Sequence, residues 1–430
     1  MQAGPIPSPQ ASGHSRRLEG LLPCITAALF FLLTFRVLQY FPNAAPLREF
    51  WIIVVCLLLV LAYFPHVAMR GIKVTHLEAY IIGLFVIPLV AAHQAMREFG
   101  QPLLHGLLAG RGTALVGASL LLLYLLRRHV LTLESVERGL IWLAWLSLTG
   151  YVAATLFVDP AAFGDHDRTF VTGGFVEDIS FKFDSAFVVF GFFYYAFSSQ
   201  IRRDITHFAV ALLFLLYLVI GDGGRSLLIA LVVSYVFLSL RWAHARKWVI
   251  VVPTIVAAIV LPLASFYLVD SERFASFALG MSEAFSVVLT GGESSDPSVN
   301  ARVYETLIAW PYISEHWFLG NGLLSHRWRD GYAGLIGYFY PADIGILGVI
   351  YTFGVAGVLV FGVQFVFALR FWRGLSENGW RATPFARAVA GFLLYYLIRS
   401  LANGAFALSP EVGLLFVTVL FWMRQSRRGV

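Results

Sequence analysis

Apolar stretches of about twenty residues, nearly free of charge, recur from Leu21 to the carboxyl end. WIIVVCLLLVLAY from Trp51 and LLIALVVSYVFLSL from Leu227 are two of them. Such a stretch has few folds open to it. Inside a bilayer no water is available to the peptide groups, so only helices or a closed barrel can cross. A barrel would show segments of about ten residues alternating in polarity, and these stretches are continuous. Charged residues make up 13% of the chain, against about 25% in soluble domains. The sequence therefore describes an all-α integral membrane protein. Helices are expected near 21–40, 50–68, 77–95, 106–126, 139–158, 185–200, 206–221, 225–240, 248–269, 343–369, 385–406 and 410–423, about 12 spans. Cys24 and Cys56 both sit in apolar runs, so neither a disulfide nor a metal framework is expected from them.

Charge orients the bundle. With the amino terminus inside, 19 of the 31 Lys and Arg fall in inner segments, nine in outer segments and three within spans. Of the 25 acids, 19 fall outside. The positive-inside rule selects this orientation, with both termini cytoplasmic. The layout is a leader over 1–20, nine helices over 21–269, a loop over 270–342, three helices over 343–423 and a basic tail over 424–430. The leader is Pro/Ser-rich and shows no cleavable signal.

The long loop interrupts the apolar pattern most. It is too apolar and aromatic for a disordered linker, and a loop of this length in a compact domain is usually functional. It reads as a partly helical cap on the periplasmic face. A second outer loop runs from Asp159 to Phe183. A third outer turn, GDGGRS, joins the seventh and eighth helices.

Three constellations carry chemistry. In GGRS, Arg225 stands at a helix start, where free N–H groups and the helix dipole favour an anion. A guanidinium there can bind phosphate through two hydrogen bonds, although an Arg snorkelling to lipid headgroups fits the same position. In PSVNARVYETLIAWPYISEHWFLGNG, Arg302 opens an amphipathic helix. Val303, Leu307 and Trp310 share one face and are expected to lie against the bundle. Pro311 is expected to end that helix, and GNG at 320–322 to make a permissive turn. Arg302 is a second cation for a diphosphate, or the ion-pair partner of Glu305 one turn on. In GYFYPAD, Asp343 either caps the following helix or serves as a general base.

His316 and His326 form no metal-binding pair by spacing, so no metal is expected, and they read as substrate contacts or surface groups. Tyr312, Trp317, Trp328, Tyr332, Tyr338 and Tyr340 offer faces for sugar rings, or form an interfacial belt. Arg111 and Arg399, deep in apolar runs, need partners, and Glu98 and Glu411 are available.

GGRS at a span mouth, Arg302 leading to LGNG, and the spaced Gly354 and Gly357 of FGVAGV follow one another over residues 185–370. In that order the pattern resembles the O-antigen ligase / Wzy-type O-antigen polymerase superfamily of membrane glycosyltransferases. The resemblance implies a GT-C-like bundle in the bacterial inner membrane. It implies transfer of a glycan from a polyprenyl diphosphate to a hydroxyl, with no nucleotide, metal or other cofactor. Arg225 and Arg302 would hold the diphosphate, His316, His326 and Tyr340 would contact the substrate, and Asp343 would orient or deprotonate the acceptor. The implied partners are the lipid-linked oligosaccharide, the bilayer, and a chain-length regulator or other assembly proteins. Nucleic acid is not among them. Ligases of this superfamily carry His-Asn eleven residues before the first spaced glycine. Here Asp343-Ile344 stands there, which favours polymerase over ligase. A lipid-linked oligosaccharide transporter is the rival, and it lacks the mid-membrane acids that coupled carriers use.

Overall fold

The computed structural model describes residues 13–35, 44–71, 73–158, 184–222, 225–242, 297–375 and 383–426, with isolated positions between. The expected ninth helix, over 248–269, and the second outer loop lie outside the described residues. Among the described residues every element is helical.

The helices are α1 (Gly13–Thr34), α2 (Pro46–Met69), α3 (His76–Phe99), α4 (Leu103–Arg127) and α5 (Leu133–Phe157). Then come α6 (Ala186–Arg202), α7 (Ile205–Tyr217) and α8 (Arg225–Trp242). The cap contributes α9 (Pro297–Glu315) and the short α10 (Gly331–Leu335). The chain closes with α11 (Ile346–Gly374), α12 (Pro384–Asn403) and α13 (Pro410–Gln425).

Local chemistry sets the boundaries. Thr75 and Glu78 form a capping box at the start of α3, and Asp204 accepts the Thr206 amide at the start of α7. Left-handed Gly71, Gly100 and Gly404 end the preceding helices.

Among the described residues six helices, α2–α5, α11 and α12, are long and apolar enough to cross a membrane, against about twelve spans expected over the whole chain. Helices also occupy the other expected positions outside 248–269, but they are shorter or less apolar. The 17 residues of α6 rise about 26 Å, less than the roughly 30 Å hydrocarbon core. The protein is an all-helical integral membrane protein.

The last helix is the hub. α13 packs on α4, α11 and α12, and nearly every side chain from Pro410 to Phe421 is buried. A helix apolar on all sides belongs in such a place. α12 and α5 pack on α6, which also carries α7. Phe416 lies against Phe392 at 4.2 Å between ring centres, and Phe35 stacks on Phe187 at 4.7 Å.

Candidate functional site

The cap is built on α9, which runs through Pro311 instead of ending there. Its buried face is Glu305, Ala309 and Ile313. The stripe expected to face the bundle points away: Val303, Leu307 and Trp310 are 43%, 68% and 59% exposed. The buried side of α9 meets the rest of the cap, where Glu305 accepts the Tyr340 amide and Ala309 and Ile313 join the small core with Leu324, Tyr332 and Tyr351.

Beyond α9 the chain enters LGNG, and here two separate sequence motifs prove to be one joint. Gly354 lies inside α11 with φ 66° and ψ −176°, which breaks the helical ladder. The peptide groups this frees are met by the cap. Val355 N and Ala356 N donate to the carbonyls of Trp317 and Phe318, at 2.9 and 3.1 Å. Asn321 N and Gly322 N donate to the carbonyls of Tyr351 and Thr352, at 2.7 and 3.0 Å. Irregular backbone within a span is tolerated where protein satisfies it. The approach requires glycine on both sides. A Cβ at Gly320 would come within 2.6 Å of the Gly354 nitrogen, and one at Gly354 within 2.0 Å of the Phe318 carbonyl oxygen.

Gln101, before α4, pins the cap from the other side. Its amide donates to the Leu323 carbonyl at 2.9 Å and accepts from Ser325 N at 2.7 Å. It is fully buried. Nothing in the sequence marks it, because its partners lie more than 220 positions away. Leu324, Tyr332, Phe339 and Tyr351 close a small core under the cap, so Tyr332 is a packing residue and not a sugar platform.

The cap draws Arg302, Glu305, Tyr340 and Asp343 together. Tyr340 N donates to Glu305 Oε1 at 3.3 Å, and Asp343 N donates to the Tyr340 carbonyl at 2.9 Å. Asp343 does not cap α11. It sits exposed in the preceding turn, and Gly345 is the N-cap residue. The turn ends in a glycine at φ 59°, two residues beyond Asp343. Arg302 and Glu305 make no ion pair, for Arg302 is exposed while Glu305 is fully buried. Glu305 Oε2 is buried without a hydrogen-bond partner. Burial and the charge of Asp343 push the Glu305 carboxyl up to about 7, against the smaller opposing effects of the Tyr340 amide and Arg302. Its burial and unmet oxygen make the Glu305 carboxyl a functional candidate, where its spacing from Arg302 had suggested an ion pair.

The two histidines go elsewhere. His316 Nε2 lies 3.3 Å from Glu98, with Glu315 beside them. His326 is exposed on the wall of a cleft between the cap, α2 and α4. Arg111 lines the same cleft, paired with Glu49 and not with Glu98. Arg399 donates to the Tyr395 hydroxyl at 2.8 Å. Helix α8 begins at Arg225 as expected, but the side chain of Arg225 lies outside what is described.

Residues 208–362 match the family model described as Wzy_C, O-antigen ligase. This stretch is an O-antigen ligase family domain. It contains Arg225, Arg302, Glu305, LGNG, Asp343 and the glycine break, so the joint and the carboxylate pair both lie inside it. No curated protein matches the chain.

Proposed function

We propose that the protein is a membrane glycosyltransferase that extends a polysaccharide, moving a glycan from a polyprenyl diphosphate to a sugar hydroxyl. What supports this most is the grouping of Arg302, buried Glu305 and Asp343 within an O-antigen ligase family domain. When the bond from the anomeric carbon to the diphosphate breaks, negative charge grows on phosphate oxygens. Arg302, and Arg225 at the start of α8, supply guanidinium groups for that charge. The acceptor oxygen bonds to the anomeric carbon and gives its proton to a carboxylate. The Glu305 carboxyl, raised to about 7, and exposed Asp343 beside it form the pair that takes that proton.

Asp343-Ile344 in place of His-Asn favours polymerase over ligase. The same reading carries the twelve-span layout, both termini in the cytoplasm, and the cap on the outer face of the bacterial inner membrane. Purified protein given a polyprenyl-diphosphate oligosaccharide should yield a ladder of longer lipid-linked glycans. Transfer to a lipid A core alone would make it a ligase. ATP-independent movement of intact substrate across vesicles, without new glycosidic bonds, would make it a transporter.

A further inference from the structure

Glu98, Glu315 and His316 take no part in the transfer proposed above. Glu98 lies in the last turn of α3, Glu315 ends α9, and His316 follows it. One ligand atom from each lies within 4.8 Å of the other two. We propose that these three side chains bind one divalent cation of the first transition row, Zn²⁺ fitting best, and that the ion clasps the cap to α3.

The distances favour an ion over a direct bond. His316 Nε2 stands 3.3 Å from Glu98 Oε2. A charge-assisted hydrogen bond between such groups closes to about 2.7–2.9 Å. Two donors held about 2.0–2.2 Å from one tetrahedral ion lie about 3.3–3.6 Å apart. The pair is therefore spaced as two ligands of one ion are. The other ring nitrogen, Nδ1, is buried without a hydrogen-bond partner, so Nε2 is the nitrogen that the ring offers to the carboxylates.

The charges point the same way. Among the described residues no Lys or Arg pairs with Glu98 or Glu315. Two carboxylates crowded on one imidazole disfavour each other's charge, and a divalent ion relieves that. An imidazole nitrogen beside carboxylate oxygens suits zinc and its row, whereas Ca²⁺ and Mg²⁺ take shells of oxygen. Three protein donors leave a fourth place for water. The site is open enough to admit both, for the His316 and Glu98 side chains are 37% and 25% exposed.

The scaffold is fixed without an ion. Phe99 packs on Tyr312 with ring centres 6.0 Å apart. The cap turn runs so close to α3 that a Cβ on Gly322 would come within 2.1 Å of the Ala91 carbonyl oxygen. Ligands on two packed segments are already near their working positions. Trp317 and Phe318, whose carbonyls meet the break in α11, directly follow His316. An ion here would therefore steady the joint at Gly354. Sequence spacing hides the cluster, because Glu98 comes from a helix far earlier in the chain.

The test counts bound metal and does not depend on turnover or on the transferase reading. Tag-free protein in detergent is stripped with EDTA, dialysed, and titrated with ZnCl₂ by calorimetry, with CaCl₂ and MgCl₂ in parallel. Wild type should bind one equivalent of Zn²⁺ in the micromolar range or tighter. Losing a partner of a ligand costs about 10–100-fold in metal affinity, so losing a ligand should cost about a hundredfold or more in H316Q and in E98Q. Where either variant folds poorly, E315Q, at an exposed helix end, should show the same loss. H326Q, which removes a histidine outside the cluster, should bind Zn²⁺ as wild type does. Co²⁺ should give the intense visible absorption of a four-coordinate ion in wild type and lose it in E315Q. Hydrogen exchange at the amides of Asn321, Gly322, Val355 and Ala356 should slow when Zn²⁺ is added to wild type, and not in E315Q. No bound Zn²⁺ in wild type, or binding that E315Q and H316Q leave intact, overturns the site. Ca²⁺ or Mg²⁺ bound as tightly as Zn²⁺ overturns the choice of ion. Bound Zn²⁺ with unchanged exchange overturns the clasp.

Discussion

Among the described residues, Glu78 at the start of α3 and Glu305 on α9 are both fully buried, in opposite surroundings. Glu78 is completely enclosed by donors. Arg127 meets its two oxygens at 2.6 and 2.9 Å, the Tyr63 hydroxyl donates at 2.7 Å, and Thr75 donates through its amide and hydroxyl. Glu305 receives one long bond from the Tyr340 amide, and its other oxygen has no partner. The cation nearest in sequence, Arg302, points away to the surface. The first carboxylate is a lock between α2, α3 and α4. The second is left half-satisfied, with its carboxyl raised to about 7. Buried polar groups in native proteins are nearly always satisfied, so an unmet one calls for a reason. At Glu305 the proposed transfer supplies one: a fully satisfied carboxylate would keep a fixed charge and take no part in moving a proton.

The comparison breaks most sharply at Glu78. Glu78→Ala strands Arg127 and Tyr63 and should cost about 3–5 kcal/mol, read as a lower unfolding midpoint in detergent. Transfer per folded molecule should hold, and a selective loss of activity would erase the contrast. Glu305→Gln should do the reverse. Transfer should fall about a hundredfold or more, while the midpoint at neutral pH holds or rises. A fully active Glu305→Gln would reduce Glu305 to a packing residue.

A pH series sharpens the same point. The Glu305 carboxyl titrates near 7 in the folded protein and near its ordinary 4.5 when unfolded. Between those values the native state holds the extra proton, so stability falls as pH rises from 4.5 through 7. Unfolding midpoints of wild type and Glu305→Gln should therefore diverge from pH 5 to pH 8, with the variant less sensitive to the rise. Parallel curves would rule out the raised titration. Next in size is Gly354→Ala, which drives a methyl into the Phe318 carbonyl at a left-handed position. It should cost about 1–3 kcal/mol and lower transfer, because the cap that carries Glu305 is seated there. The smallest change is Arg138→Gln, which removes an exposed pair with Glu134 on α5. It should cost about 0–1 kcal/mol and leave transfer unchanged, setting the scale for the buried pairs.

Helix positions were largely legible because an apolar run and a helix in lipid share one cause. The order of GGRS, Arg302, LGNG and the spaced glycines was legible too, and it agrees with the family match. The meeting of LGNG with Gly354 was not, because backbone hydrogen bonds across 30 or more residues leave no periodic trace. Gln101 escaped for the same reason. The face of α9 was read backwards, because its buried side is set by distant parts of the cap, the Tyr340 amide on Glu305 among them, which helical spacing alone does not reveal. Asp343 passed for a cap because its spacing from the helix start was short by two residues, within the usual uncertainty of a boundary.

The joint at Gly354 also orders events in the making of the protein. α9 and LGNG leave the ribosome before α11 does, yet the groups that complete LGNG lie at 351–356. Until α11 is threaded into the membrane, the peptide groups of Trp317, Phe318, Asn321 and Gly322 have no final partners. The cap therefore cannot mature as an independent module; it must wait for a later helix. A chain arrested before residue 351 would carry the arginine and both carboxylates and still lack the seat that brings them together.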